Sequence, residues 1–253
     1  MPMPEHVASL AAELAGVPGA IAVVLGGSRA TATHRPDSDW DLGVYYRGAQ
    51  PLDPVDVRRL GHAGYVSELG EWGPIVHGGA WLTVEGTPVD VLFRNLDVVE
   101  GWMRDAQRGH FEVLTQNGCI VGAPTYLPVG ELAVCQPLVG DVPRPSFPDA
   151  LAATASERWR GRASVSLMFA HGHARAGDAV CCTGMLVDAV LCVAHARLAA
   201  RREWALNEKG LVQRAGLDEA QALLAAAGAT PSELGVTVAA VGGVLGVAAL
   251  TAR

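Results

Sequence analysis

The chain has 253 residues, of which 50% are hydrophobic, 18% charged and 6% aromatic, a globular composition that excludes a disordered, collagenous or fibrous chain. Residues 1–145 hold 17 acidic and nine basic side chains, and residues 146–253 hold nine acidic and ten basic ones. The first part therefore lacks the basic stripe that a long nucleic acid requires. The histidines have no metal spacing. The five cysteines have no Cys-x-x-Cys or zinc spacing and no secretory signal is evident, so we expect a cytoplasmic protein.

The first part of the chain alternates predicted helices and strands. In chain order we predict a helix over residues 6–14, a buried strand over 20–25, a glycine-rich turn, a strand over 39–46, a helix over 54–60, two antiparallel strands over 81–84 and 89–93, and a helix over 97–107. This pattern predicts an α/β (α+β) domain with a mixed sheet over residues 1–145.

The second part of the chain is predicted to be helical. Three prolines within residues 140–148 mark the domain boundary. Beyond them we predict helices over residues 149–174, 178–202, 218–226 and 231–250. The charge-free stretch Leu234–Leu250 has 17 residues and four glycines, too short for a bilayer span of roughly 20 residues. We therefore predict an all-α helical bundle over residues 146–253 and no membrane partner.

Two acidic residues share one face of the strand over residues 39–46. The strand period of two puts Asp39 and Asp41 on one face and Trp40, Leu42 and Val44 on the other. Two anions side by side on a partly buried strand repel each other unless a cation compensates. Mg²⁺ prefers carboxylate oxygens and takes further ligands from substrate phosphates, so these acids are predicted to be metal ligands.

A third acid, Asp90, lies on a later predicted strand and points away from its buried residues. If this strand lies beside the first, three carboxylates converge, as a two-metal site for in-line displacement requires. Asp90 is also a candidate to deprotonate an acceptor hydroxyl. Glu85, in the preceding turn, is the alternative base.

The glycine-rich turn supplies an anion site. Gly26 and Gly27 have no β-carbon, so the backbone after the strand can approach a phosphate closely, and Ser28 adds a hydroxyl donor. Arg29 follows directly and is placed to contact phosphate. A triphosphate held here, with its metals on the carboxylates, would present its α-phosphorus to an acceptor.

These motifs resemble a known superfamily. Gly27-Ser28, followed after ten residues by Asp39-Trp40-Asp41 and later by Asp90, is similar to the Gly-Ser, Asp-x-Asp and third-acid pattern of the DNA polymerase β-like nucleotidyltransferases. Within that superfamily the chain resembles small bacterial aminoglycoside and lincosamide nucleotidyltransferases with a helical C-terminal domain. Residues 175–178 and 204–209 are similar to that helical domain, where the lysine, here Lys209, meets the triphosphate.

The resemblance implies Mg²⁺-dependent transfer of a nucleoside monophosphate, with AMP expected, from a nucleoside triphosphate to a hydroxyl, with release of pyrophosphate. It implies that Asp39, Asp41 and Asp90 hold two Mg²⁺ ions, and that Gly27 and Ser28 hold the β- and γ-phosphates. Lys209 would close over the triphosphate from the second domain, in a cleft between the two. Many antibiotic-modifying relatives have Glu as the third acid or base, so the choice between Asp90 and Glu85 stays open.

Charge alone does not identify the acceptor. The acidic first part favours a small cationic antibiotic or metabolite, which makes antibiotic resistance the expected role. A protein-modifying enzyme, like the antitoxins of this superfamily, is an alternative, although those are usually single short domains. A non-catalytic nucleotide-binding regulatory module is a second alternative, which the acidic trio disfavours. The oligomeric state is not specified by the sequence.

Overall fold

The computed structural model of the chain describes residues 3–36 and 38–250. These residues form two compact units. The first comprises residues up to Asp105 together with Glu112–Gly118 and Gly122–Ser146, and the second comprises Ala106–Phe111, Cys119–Val121 and the remainder from Phe147 onward. The prediction that two independently folding domains meet between residues 145 and 146 stays a prediction.

The first unit is a mixed α/β structure. In chain order its elements are α1 (Glu5–Ala15), β1 (Ala20–Leu25), α2 (Gly27–Ala30), β2 (Trp40–Tyr46), α3 (Pro54–Arg58), β3 (Ala63–Val66), β4 (Gly78–Val84), β5 (Thr87–Asn95), most of α4 (Leu96–Gln107), β6 (Val113–Leu114), β7 (Ala123–Pro124), α5 (Leu127–Val134) and β8 (Gln136–Val139). Six strands form one sheet in the order β3-β4-β5-β2-β1-β8, and β6 pairs with β7.

The main sheet is mixed because β2 and β5 run parallel while the other pairs are antiparallel. One face of this sheet is apolar and packs on α1. The buried residues of that core include Leu10, Leu14, Leu42, Val44, Val91 and Phe93. Alternation along β2 and β5 turns the intervening residues to the opposite face, which is the face that carries the predicted site.

The second unit is helical. Its long helices are α6 (Asp149–Ala176), α7 (Ala179–Ala200) and α10 (Pro231–Leu245), with the shorter α8 (Leu211–Arg214) and α9 (Asp218–Leu224) between the last two. Helices α6 and α7 pack along their lengths, and α10 packs against both. The prediction of a mixed α/β domain followed by a helical region is therefore confirmed.

The predicted end of the last helix is wrong. Helix α10 ends at Leu245 rather than Leu250, because Gly246 adopts a left-handed conformation (φ 63°) and its N–H donates to Gly242 O and Gly243 O. A glycine in this conformation satisfies carbonyls of the last turn and stops the helix. At its start α10 has a capping box between Thr230 and Glu233.

Helix α7 is the one helix of the described residues that is long and apolar enough to cross a membrane by length and composition. Of its most apolar stretch, 56% is buried within the protein. Its inward face includes His195, whose ring stacks on Trp159 at 4.6 Å between centroids. The core helix of a globular unit meets the same criteria.

Candidate active site

The centre of the candidate site is a pair of acids on the two parallel strands. In the register of β2 and β5, Asp41 lies directly opposite Asp90. Residues paired in this way project from the same face of the sheet. Their neighbours along each strand, Leu42 and Val91 among them, are buried in the core. The two carboxylates therefore share the face opposite the core.

Asp39 lies close enough to Asp90 to act on its carboxyl group electrostatically. It is exposed and immediately precedes β2, which begins at Trp40. The pKa of Asp90 is raised from its ordinary value, first by burial of the carboxyl group and second by the negative charge of Asp39. A shift with these causes requires that the two carboxylates be near each other. The structure thus brings the three predicted acids together.

The glycine turn lies directly on the carboxylate of Asp41. Gly26 N–H donates to Asp41 O at 2.8 Å, which extends the pairing of β1 with β2 by one residue. Gly27 then adopts a left-handed conformation (φ 58°), and a β-carbon built there would lie 1.8 Å from Asp41 Oδ2. Only glycine fits this position, for both backbone and side-chain reasons. Ser28, the next residue, is half-buried beside the same turn.

Arg29 contacts the segment that carries Asp39. Its side chain is buried, with Nε donating to Asp39 O at 3.0 Å and Nη2 donating to Ser38 O at 2.6 Å. The guanidinium also lies over the ring of Trp40, 4.1 Å from its centroid. These contacts fix the backbone around Asp39. The predicted contact of Arg29 with phosphate stays a prediction, and its placement favours a positioning role.

Glu85 lies in the turn between β4 and β5, away from the paired acids. The side chain is 77% exposed and its Oε2 lies 3.6 Å from His6 Nδ1. From Thr87, where β5 begins, to Asp90 is roughly 10 Å along the strand. This separation favours Asp90 over Glu85 as the group next to the reacting atoms.

Lys209 belongs to the second unit, and its side chain is exposed. The preceding residue, Glu208, accepts hydrogen bonds from Ile120 N at 2.8 Å and Val121 N at 2.9 Å, and Asn207 Oδ1 accepts one from Lys209 N at 3.0 Å. These bonds hold the backbone around Lys209. Its contact with a triphosphate stays a prediction.

The donor set fits a hard divalent cation such as Mg²⁺. Asp39, Asp41 and Asp90 offer only carboxylate oxygens, which Mg²⁺ prefers. Burial and, second, the negative charge of Asp39 raise the pKa of Asp90, and a cation beside these acids favours their charged form. The bare Cα of Gly27 against Asp41 leaves a backbone surface at the same place, where the phosphate ligands of such an ion can approach.

Sequence reasoning missed two aromatic residues on the face that carries the carboxylates. Trp81 of β4 lies directly opposite Asp90, and Tyr65 of β3 lies directly opposite Trp81. The signal available in the sequence was the alternation along β4, in which Ala80 and Leu82 are buried and Trp81 is exposed. Without the pairing of β4 with β5, this alternation alone cannot relate Trp81 to Asp90.

One histidine lies in a small cluster of potential ligand atoms that the spacing of the histidines in the sequence does not predict. His173, Asp178 and Cys181 each place one potential ligand atom within 4.8 Å of the others. They meet because Gly177, at φ 71°, ends α6 and turns the chain into α7. Asp178 caps α7 by accepting a hydrogen bond from Cys181 N at 3.0 Å. This helix cap accounts for the cluster without a metal.

The family comparison agrees with the first unit. Residues 11–98 match the family model described as a nucleotidyltransferase domain. This range contains the glycine turn and all three acids. This part of the chain is therefore similar to a nucleotidyltransferase domain, a likeness that indicates an enzyme of the transferase class.

Comparisons with individual proteins give distant likenesses among solved structures. No curated protein sequence matches the chain. Among solved structures, the chain is similar to a nucleotidyltransferase-like protein from Exiguobacterium sibiricum 255-15, with 10% sequence identity, a TM-score of 0.46, and coverage of 96% of this chain and 74% of that one. A likeness of this degree carries no argument about the substrate.

Proposed function

We propose that this protein is a Mg²⁺-dependent nucleotidyltransferase. It would move a nucleoside monophosphate, with AMP expected, from a nucleoside triphosphate to a hydroxyl of a small cationic molecule such as an aminoglycoside or lincosamide antibiotic. The observation that carries the proposal is the position of Asp41, opposite Asp90 in the parallel register and against the bare Cα of Gly27. Nucleotidyl transfer requires acids that hold metal ions and, at the same place, a turn that binds phosphate.

The triphosphate would be bound by the turn after β1. Backbone N–H groups around Gly27 and the hydroxyl of Ser28 are suited to the β- and γ-phosphates. Asp39, Asp41 and Asp90 would hold two Mg²⁺ ions, which when bound supply positive charge to the phosphate oxygens. Arg29 would keep Asp39 in place through the hydrogen bonds to the backbone of residues 38 and 39. Lys209 would contact the triphosphate from the second unit.

Asp90 is proposed as the general base. The acceptor hydroxyl would lose its proton to an Asp90 carboxylate oxygen as its own oxygen forms a bond to the α-phosphorus. The bond from that phosphorus to the bridging α–β oxygen breaks, and pyrophosphate leaves with the electron pair. The position of Asp90, opposite Asp41 on the shared face of the sheet, supports this role, because a general base must lie within hydrogen-bond reach of the proton that it removes.

The acceptor class rests on charge. Residues 1–145 contain 17 acidic and nine basic side chains, which attracts cations rather than polyanions. All five cysteines are free, which supports a reducing compartment and hence a cytoplasmic enzyme. A cytoplasmic enzyme that modifies a cationic antibiotic would confer resistance to it.

The test is a screen of acceptors by mass shift. The wild-type protein is incubated with each nucleoside triphosphate, Mg²⁺ and a panel of aminoglycosides, lincosamides and bacterial proteins. We expect pyrophosphate release and the mass of one nucleoside monophosphate on one small acceptor. Asp41→Asn should abolish both, whereas Asp141→Asn, which changes an exposed acid of the same unit, should leave both unchanged. Triphosphate binding without pyrophosphate release for any acceptor would instead indicate a regulatory module.

A further inference from the structure

An aromatic surface continues the row of carboxylates across the sheet. It consists of Tyr65, Trp72 and Trp81, which we call the aromatic platform. Trp81 lies opposite Asp90, and Tyr65 lies opposite Trp81. Because paired residues project from one face, the platform and the acids share a surface.

Within the platform Trp72 stacks on Trp81 and Tyr65 is tilted against Trp81, and the rings of Trp81 and Tyr65 are open to solvent. The centroids of Trp72 and Trp81 are 4.7 Å apart with an interplanar angle of 22°, and those of Tyr65 and Trp81 are 5.9 Å apart. Trp81 is 56% exposed and Tyr65 is 44% exposed. Gly79 makes room for Trp72, because a β-carbon at Gly79 would lie 2.7 Å from Trp72 Cζ3. Clustered exposed aromatic rings of this kind mark a binding surface.

The platform lies on the side of the acids away from the glycine turn. Across the shared face the order is β1 with its turn, β2 with Asp41, β5 with Asp90 and β4 with Trp81. Strand spacing puts Trp81 about 5 Å beyond Asp90. The attacking and leaving oxygens of the transfer lie roughly in line with the phosphorus. Because pyrophosphate is proposed to leave towards the glycine turn, the acceptor must approach the phosphorus from the opposite side, which is the side of the platform.

A fixed anion lies at the rim of the platform. Glu71 accepts a hydrogen bond from the Tyr65 hydroxyl through Oε1, and its Oε2 accepts one from Glu68 N at 2.8 Å. The Tyr65 hydroxyl is the main cause of a lowered pKa for Glu71, so this carboxylate stays negative at neutral pH. The platform therefore has Glu71 near Tyr65 and Asp90 opposite Trp81, a carboxylate on either side of its rings.

We propose that the aromatic platform is the acceptor subsite, and that it binds a saccharide ring carrying ammonium groups. The ring would stack on Trp81 with Tyr65 beside it, and its ammonium groups would face Glu71 and the π surfaces. A hydroxyl of the same molecule would then lie next to Asp90. This inference rests on the proposed function, because it takes the triphosphate to be bound at the turn of Gly27.

The binding test uses the intrinsic fluorescence of the tryptophans in the full-length protein, with neomycin as the cationic saccharide and trehalose as an uncharged one. We expect saturable quenching by neomycin and at least about tenfold weaker binding of trehalose. Trp81→Leu should weaken neomycin binding, measured by calorimetry, by about tenfold, and Trp81→Phe should restore most of it. Val98→Ala, at a comparably exposed apolar residue of the same unit, should have no effect.

Catalytic and nucleotide readouts complete the test. In steady-state assays Trp81→Leu should raise the KM for the acceptor about tenfold while kcat and the Kd for ATP stay within about threefold. Loss of ATP affinity instead would identify the platform as a nucleobase site and overturn the proposal, as would equal binding of trehalose and neomycin or no binding of neomycin. Neomycin binding that depends on Trp81, together with no pyrophosphate release for any acceptor of the panel, would support the binding site on the platform and reject the proposed transferase activity.

Discussion

Replacing Gly27 by Ala tests the geometry of the site at one atom. The added β-carbon would lie 1.8 Å from Asp41 Oδ2 and 2.4 Å from Asp41 Cγ. Restoring an ordinary non-bonded contact requires the carboxylate to move by about 1.5 Å. A displacement of about 1 Å of a reacting group is enough to reduce turnover about 100-fold. We therefore expect Gly27→Ala to reduce kcat at least about 100-fold.

A matched control separates this effect from backbone strain. Gly61 also has a left-handed conformation (φ 80°), but a β-carbon there would meet nothing within 4 Å. Each Ala variant should lose roughly 1–2 kcal/mol of folding free energy from the left-handed conformation, measured by urea denaturation. Only Gly27→Ala should lose activity in the pyrophosphate-release assay. Similar turnover by both variants would refute the inference that Gly27 sets the position of the Asp41 carboxylate.

Three further predictions follow from individual side chains. Asp90→Asn should reduce turnover at least about 100-fold, whereas Glu85→Gln should leave it within about threefold in the same assay, because only Asp90 shares a face with the other acids. Glu131→Gln should lower the free energy of unfolding by about 3 kcal/mol in urea denaturation, because it leaves the buried Arg94 without the carboxylate that its Nε and Nη2 contact at 2.8 Å. Burial lowers the pKa of His195 from 6.5 to about 4. As the pH falls, His195 is therefore protonated in the unfolded chain before it is protonated in the folded protein. The stability due to neutral His195 should be present above about pH 6.5 and decline by about 3 kcal/mol as the pH falls towards 4, and His195→Phe should flatten this dependence in thermal unfolding. An unchanged pH profile in that variant would contradict the assignment.

Alternation of apolar residues was sufficient to predict the strands that build the site. Val89, Val91 and Phe93 are buried on one face of β5, which is why the outward direction of Asp90 could be predicted. The sequence could not specify that β5 lies beside β2 in register. Strand pairing is a long-range property, and a slip of one residue would have turned Asp90 to the other face.

The strands that sequence reasoning missed lack an apolar periodicity. Strand β3 is almost entirely exposed and contains Gly64 at φ 141°. Strand β8 is an exposed edge strand with Pro137 in its middle, a position that a proline tolerates only at an edge. Without β3 no pattern in the sequence could place Tyr65 beside Trp81.

The contacts of Arg29 could not be predicted from its position in the motif. Its position after Ser28 predicts a phosphate contact, but its guanidinium nitrogens contact backbone carbonyls of residues 38 and 39. Those carbonyls are brought to Arg29 by the loop before β2, whose path is not encoded in any local pattern. Motif spacing therefore predicts which residues lie near the candidate site, and the tertiary structure shows what each of them contacts.

Anomalous diffraction from crystals grown with Mn²⁺ and a non-hydrolysable ATP analogue tests most directly whether the three acids form a metal site for a nucleotide. We expect Mn²⁺ peaks within coordination distance of the carboxylates of Asp39, Asp41 and Asp90, with the β- and γ-phosphates at Gly27 and Ser28. Mn²⁺ or phosphate density bound elsewhere on the protein, with these three acids free of metal, would contradict it.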